Sequence, residues 1–233
     1  VEENMNNVLI LAGGLGSRLR SLHLGVSKPL APIGNRSFLE WQIQYLHSYG
    51  FSNFILAISK SSLDIRDKLR YIFPQRIKVR YSVDPIPIGT GTAVVRALPY
   101  MSKTFFVING DTMFSFDPRL VLRQHEYTKA LATVAVVRKK NNGRYSNVVF
   151  NQMKKVLDLS SAKTNGTGYV SSGVLVVEKS VFKGYTLHHG YSLKKDILSK
   201  VVSHGKMYAQ PIHGKFWDIG TPNSYRYFKK IKR

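Results

Sequence analysis

Cysteine is absent from the 233 residues, which excludes disulfides, thiolate metal sites and cysteine nucleophiles and fits a reducing compartment. Long apolar runs are absent too. None approaches the roughly 18–20 residues that a bilayer-crossing helix needs, so no membrane span is expected. The opening VEENMNNVLILAGG lacks the basic region and extended apolar core of a secretory signal, and Met5 reads as a natural start after residues 1–4. A soluble cytoplasmic protein is the expectation. Acidic residues are scarce: 13 Asp+Glu against 35 Lys+Arg give a formal charge of +22. Such an excess points to nucleic acid, an anionic membrane surface or small anionic molecules. The cations are spread along the chain, with short clusters at Arg138-Lys139-Lys140, Lys154-Lys155 and Lys229 to Arg233. No zinc finger or RNP-type aromatic strand accompanies them, so no nucleic-acid partner is expected. A solvated basic surface and attraction of small anions remain.

Alternation of element types organises the first half. The apolar run Val8 to Leu11 predicts a buried strand, and Ser37 is placed to cap a helix reaching about Ser48. Asn53 to Ile58 reads as the next strand, residues 62–73 as a helix stopped by Pro74, and Ile77 to Ser82 as a half-exposed strand. A short helix over Gly89 to Leu98 and a strand over Thr104 to Ile108 follow. This pattern predicts a mostly parallel sheet flanked by helices. The second half reads as strands near 131–138, 147–150, 155–159 and 169–177, with few helices between them. A helix over 192–202, a strand over 207–211 and a last helix from about Asn223 complete the chain. With no repeat, linker or clean boundary, residues 5–233 read as one mixed α/β domain. Its half to about residue 115 would bind a nucleotide, and the rest would elaborate the other substrate's side.

Four groups of residues carry chemistry. The first strand ends in Ala12-Gly13-Gly14-Leu15-Gly16, then Ser17, Arg18, Arg20 and Lys28-Pro29. Glycines let backbone approach a ligand, their N–H groups can line a phosphate pocket, and cations beyond neutralise a polyphosphate. The G-x-x-x-x-G-K-[ST] loop of P-loop NTPases is absent. A dinucleotide fingerprint fails because Leu19 stands where its third glycine belongs. Asp111 ends a strand at Asn109-Gly110-Asp111, where ligands bind in open α/β sheets, and Asp218 lies in Phe216-Trp217-Asp218-Ile219-Gly220-Thr221-Pro222. One carboxylate holds Mg²⁺ weakly, whereas two with a triphosphate make a site. Pro87-Ile88-Gly89-Thr90-Gly91-Thr92-Ala93 offers small residues at a helix start, open to a base or ribose.

In this order LAGGLGSRLR, SKPLAPI, PIGTGTA, NGD, YSNV, VSSGVLVV and WDIGTPNSY resemble the sugar-1-phosphate nucleotidyltransferase family, from Met5 to the last helix. The length is similar to its compact branch of heptose 1-phosphate guanylyltransferases and hexose or muramate 1-phosphate uridylyltransferases. The resemblance implies a Rossmann-like fold without a C-terminal β-helix and the reaction NTP + sugar 1-phosphate → NDP-sugar + pyrophosphate. It implies Arg18 on the β- and γ-phosphates and Lys28 on the α-phosphate. Leu11, Ala12, Gly13, Gly14, Gly16, Ser17, Gly89 and Thr90 would surround the nucleotide, and Asp111 and Asp218 would ligate Mg²⁺. Asn109, Tyr145, Ser172, Gly173 and Lys163 would face the sugar. Departures concentrate on that last side. Ser17 replaces the usual threonine and Ser27 a proline, but Ser160-Ser161-Ala162-Lys163 lacks the glutamate of a Glu-Lys pair, and Lys194 reverses the charge of an S-L-E-x-D motif. GTP is the donor favoured by the resemblance. The base, the sugar and the oligomeric state stay open, a homo-oligomer and a non-catalytic member of the fold among the options. A related glycosyltransferase would need a D-x-D that Asp111-Thr112-Met113 does not supply.

Overall fold

Val8, Leu9 and Ile10 are wholly shielded from solvent (0% exposed), as an apolar run in the middle of a sheet must be. The computed structural model describes residues 7–14, 26–70, 72–141, 145–159 and 166–231. Strand β1 (Asn7–Leu11) pairs in parallel with β2 (Asn53–Ser59) on one side and β4 (Thr104–Asn109) on the other, and β3 (Lys78–Asp84) extends the sheet beyond β2. Across β4 lies β6 (Gly166–Glu178), antiparallel to both β4 and β5 (Ala132–Asn141). The far edge is β7 (Met207–Pro211), parallel to β5. The order is therefore β3-β2-β1-β4-β6-β5-β7, with only β6 running against the rest.

Because side chains alternate across a strand, β1 feeds two cores. Val8 and Ile10 pack with Leu39, Ile43 and Leu46 of α1 (Phe38–His47), Ile65 of α2 (Asp64–Leu69) and Val121 of α4 (Arg119–Thr128). Leu9 packs on the opposite face with Val94 and Ala97 of α3 (Thr90–Ala97) and with Ile197 and Val201. A third cluster joins Ile33, Phe38 and Met113 to Tyr225 and Phe228 of α6 (Pro222–Ile231). The Ser37 cap forms as a capping box: its hydroxyl accepts from Glu40 N while Glu40 Oε2 accepts from Ser37 N at 2.7 Å.

Three elements differ from the sequence reading. The helix expected over 62–73 is confined to Asp64–Leu69, preceded by a 3₁₀ turn at Lys60–Ser62. The helix expected over 192–202 starts as a π-helical turn, Leu193–Leu198, before α5 (Ser199–Ser203). Helix α4 was not expected at all. Only Val121 and His125 of its ten residues are buried, too sparse an apolar stripe to show as periodicity, and its start is pinned by Asp117 Oδ1 accepting from Arg119 N at 2.9 Å. Among the described residues no β-helix follows the sheet, and no helix is long and apolar enough to cross a membrane.

Candidate active site

Strands β1 to β4 run parallel, so their carboxyl ends open on one edge. A cleft of about 440 Å³ lies there, lined by Leu11 to Gly14, Ala57 to Ser59, Asp84, Gly89, Thr90 and Asn109 to Asp111, with Lys28 and Pro29. Gly110 is where two strand ends touch: its N–H donates to Leu11 O at 3.0 Å, and a Cβ there would lie 2.7 Å from that oxygen. Only glycine lets the two strand ends meet so closely. Gly14, in contrast, has open space where a Cβ would go. Gly89 and Gly91 serve a different end. A Cβ on Gly89 would collide with Tyr191 O, and Gly91 N donates to that same oxygen at 2.8 Å. The small residues of this motif thus admit a neighbouring chain segment as well as lining the cleft.

Lys28 begins a 3₁₀ turn, Lys28–Leu30, anchored by buried Leu30. Asp64 fixes the residue before it, accepting from Ser27 N at 2.8 Å and from Ser27 Oγ at 2.5 Å. Serine in place of proline is therefore compensated by two hydrogen bonds. The Lys28 ammonium reaches Asp111 Oδ2 at 2.5 Å, with the two side chains 16% and 36% exposed, so the carboxylate remains open to an incoming ligand.

Asp218 arrives from the far end of the chain. Residues Phe216–Asp218 pair antiparallel with Thr112–Phe114, opposing Asp218 to Thr112, and Ile219 N donates to Asp111 O at 2.9 Å. Two carboxylates more than a hundred residues apart in sequence are thereby set side by side. Asp218 is oriented by Tyr145 OH, which donates to Oδ2 at 2.7 Å, and by Gly220 N on Oδ1 at 2.9 Å. Lys139 Nζ lies 4.7 Å from the centre of the Tyr145 ring, a cation–π contact that steadies it. A second cavity of about 230 Å³ is lined by Lys28, Asn109, Asp111, Tyr145, Ser146, Ser172, Gly173 and Asp218. Gly173 sits at φ +79° beside Asn109, where the β5–β6 register shifts. Ser172 is fully buried and its hydroxyl donates to Ala135 O at 3.1 Å. That hydroxyl is committed to β5.

The structure thus brings together Leu11, Ala12, Gly13, Gly14, Lys28, Gly89, Thr90, Asn109 and Asp111 in one cleft. Tyr145, Ser172, Gly173 and Asp218 join Lys28, Asn109 and Asp111 around the next cavity. Gly16, Ser17, Arg18 and Lys163 lie outside the described residues. Several residues had not been singled out. Gln42, 0% exposed on α1, donates to Asn109 O at 2.8 Å and Thr112 O at 2.6 Å, holding the Asp111 turn from beneath. A lone amide in the apolar face of a helix was its sequence signal. Asp84, 5% exposed at the end of β3, lies 3.5 Å from Arg96 Nε, and neither of its carboxylate oxygens has a hydrogen-bond partner among the described residues. Asp64 carried no signal, since its partner is distant in sequence.

Comparison with known proteins agrees with this geometry. A family model described as Nucleotidyl transferase matches residues 7–231. A D-glycero-α-D-manno-heptose 1-phosphate guanylyltransferase of Aneurinibacillus thermoaerophilus is 32% identical over 226 residues, 95% of this chain and 96% of the relative. One from Campylobacter jejuni is 30% identical over 220 residues, 94% and 97% of the two chains. The crystal structure of HddC from Yersinia pseudotuberculosis superposes with a TM-score of 0.87 at 30% identity, covering 98% of this chain and 100% of that one. The same protein complexed with GMP-PN gives 0.85 at 28% identity, with the same coverage. The chain belongs to the Nucleotidyl transferase family.

Proposed function

We propose that the protein transfers guanylyl from GTP to D-glycero-α-D-manno-heptose 1-phosphate, giving the GDP-sugar and pyrophosphate for surface polysaccharide synthesis. The observation that carries this reading is the convergence of Lys28, Asp111 and Asp218 where the nucleotide cleft meets the second cavity. A phosphate oxygen of the sugar attacks the α-phosphorus in line, a new P–O bond forms, and the bond to the β-phosphate oxygen breaks. No covalent enzyme intermediate is required, so the side chains position the reactants and stabilise charge. Lys28 shares its ammonium between Asp111 and the α-phosphate as negative charge develops there, and Arg18 holds the departing pyrophosphate. Backbone of Leu11 to Gly14, with Gly16, Ser17, Gly89 and Thr90, surrounds base, ribose and phosphates. Asn109, Tyr145, Ser172, Gly173 and Lys163 form the sugar side.

Asp111 and Asp218 are the residues that would hold Mg²⁺. Two hard carboxylates on one cavity suit that ion. When bound, Mg²⁺ supplies charge neutralisation on the triphosphate. Asp84 supports guanine over the other bases. A carboxylate on the cleft wall, 3.5 Å from Arg96 Nε, is an acceptor of the kind that the N1–H and N2–H₂ edge of guanine needs, an edge whose amino donor other common bases do not present in that place. A cytoplasmic location goes with this reading, since the reaction draws on NTP.

The test is pyrophosphate release in Mg²⁺ with each of four NTPs against the heptose, mannose, glucose and muramate 1-phosphates. GTP with the heptose 1-phosphate should lead, with kcat/KM at least about 100-fold above other NTPs, and Asp84→Asn should shrink that ratio. Equal release from all NTPs would overturn the guanine assignment, and release from none would overturn the catalytic one.

A further inference from the structure

Helix α1 buries Leu39, Gln42, Ile43 and Leu46 at helical spacing, and Gln42 brings the one polar group into that stripe. Its Nε2 donates to two backbone carbonyls, Asn109 O at 2.8 Å and Thr112 O at 2.6 Å. Two acceptors fix which end of the amide faces them, since only the nitrogen can donate. The other end, Oε1, is buried with no hydrogen-bond partner among the described residues. A buried acceptor left unpaired costs stability, and an aliphatic side chain would complete the stripe without that cost. Packing of α1 therefore does not account for the amide. What it gains lies at the two carbonyls.

Those carbonyls bracket Gly110-Asp111. Asn109 ends β4 and lines both the nucleotide cleft and the second cavity. Thr112 stands opposite Asp218 in the ribbon that brings the two carboxylates together, and its hydroxyl donates to Asp111 Oδ1 at 3.2 Å. Thr112 is thus tied to Gln42 by its carbonyl, to Asp111 by its side chain and to Asp218 by strand pairing. One buried amide, clamped at both ends of a four-residue turn, sets where that turn leaves β4 and where the ribbon begins. We infer that Gln42 is a positioning residue that fixes the Asp111 carboxylate relative to Asp218 at the place assigned to Mg²⁺, a role that rests on the nucleotidyl-transfer reading above. It touches no reactant itself and acts from beneath the site, through backbone.

The test compares wild type, Gln42→Met and Ile43→Val by melting, by pyrophosphate release with GTP and D-glycero-α-D-manno-heptose 1-phosphate, and by titration of Mn²⁺ into the protein without nucleotide, followed by electron paramagnetic resonance. Methionine nearly conserves volume and removes both bonds together with the unpaired oxygen, so Tm should stay within about 5 °C of wild type. Mn²⁺ should bind about 10-fold more weakly, as when a partner behind a metal ligand is lost. kcat should fall about 10- to 100-fold, with KM for GTP within about threefold. Ile43→Val, a core change on the same helix, should lower Tm by a few degrees and leave Mn²⁺ binding and kcat alone. Unchanged Mn²⁺ affinity in Gln42→Met overturns the inference whatever happens to kcat. So does a Gln42→Met protein that does not fold or melts more than about 10 °C lower, which would make the amide a support of the fold, and so does equal weakening of Mn²⁺ in Ile43→Val. A wild type that binds no Mn²⁺ removes the metal assignment and the inference with it. Absence of pyrophosphate from the wild type would instead overturn the underlying reaction, while the Mn²⁺ comparison still decides the role of Gln42.

Discussion

Alanine at Gly110 would drive a methyl group between the ends of β1 and β4. Its Cβ would stand 2.7 Å from Leu11 O, 3.0 Å from Ala12 Cα and 3.2 Å from Leu11 C, whereas relaxed carbon contacts lie near 3.5–4.0 Å. All three neighbours are backbone, so no rotamer change relieves the overlap, and the strand ends must part by roughly half an ångström or more. Overpacking of this kind costs about 1–3 kcal/mol, and weakening the bond from Gly110 N to Leu11 O adds about 1 kcal/mol. A total near 2–4 kcal/mol lowers Tm by about 5–15 °C for a chain of this size. The same displacement moves Asp111 away from the glycine loop, and a misplacement approaching 1 Å costs about 100-fold in rate. Thermal melting and initial rates of pyrophosphate release measure both quantities. The control is Gly14→Ala, whose Cβ meets nothing within 4 Å. That variant should keep its Tm and alter only KM for the nucleotide. Gly110→Ala with kcat within threefold and Tm within two degrees of wild type would refute the close-approach argument.

Lys28→Ala should lower kcat about 10²–10³-fold if the ammonium acts as a preorganised charge stabiliser, and near-wild-type turnover would rule that role out. The charge of +22 should concentrate anionic reactants, so kcat/KM should fall steadily as NaCl rises from 50 to 300 mM; a flat profile would assign the basic surface another purpose. His125 is buried between Thr133 and Glu178, and burial holds its pKa below the ordinary 6.5 despite the favourable carboxylate. With the folded pKa depressed, the unfolded chain binds more protons just below pH 6.5, so this stabilisation is whole above that value and is lost as pH falls from there through the folded pKa. Melting curves from pH 8 to 5 should slope less in His125→Gln than in wild type, and parallel slopes would contradict this account.

Local chemistry made much of the fold legible. The apolar runs of β1, β2 and β4 sit fully buried where their composition puts them, and Ser37 caps α1 as its side chain dictates. Helix α4 was hidden because its aliphatic residues bunch at 120–122 instead of recurring at helical spacing, with tertiary packing at Val121 and His125 supplying what the pattern does not. At the site, Lys28 and Asp111 were visible from loop chemistry next to strand ends. The pairing of Asp218 with Asp111 was readable only by resemblance, because the Thr112–Phe114 and Phe216–Asp218 ribbon that creates it is long-range. Ser27 with Asp64, and Asp84 with Arg96, were not readable at all: each depends on which helix the sheet places opposite which loop. Lys194 was visible as an oddity of charge, whereas its bond to Ser146 Oγ, nearly fifty residues away, was not.

The segment at 189–193 is laced to the start of α3 by Gly91 N on Tyr191 O, Thr92 Oγ1 on His189 O, Tyr191 N on Thr92 Oγ1 and Leu193 N on Thr90 Oγ1. Each such bond contributes about 1 kcal/mol, so the start of α3 and the 189–193 segment are tied into one wall of the cleft. On the reading proposed above, a donor seated against Gly89 and Thr90 would meet a wall already tied to the 189–193 segment.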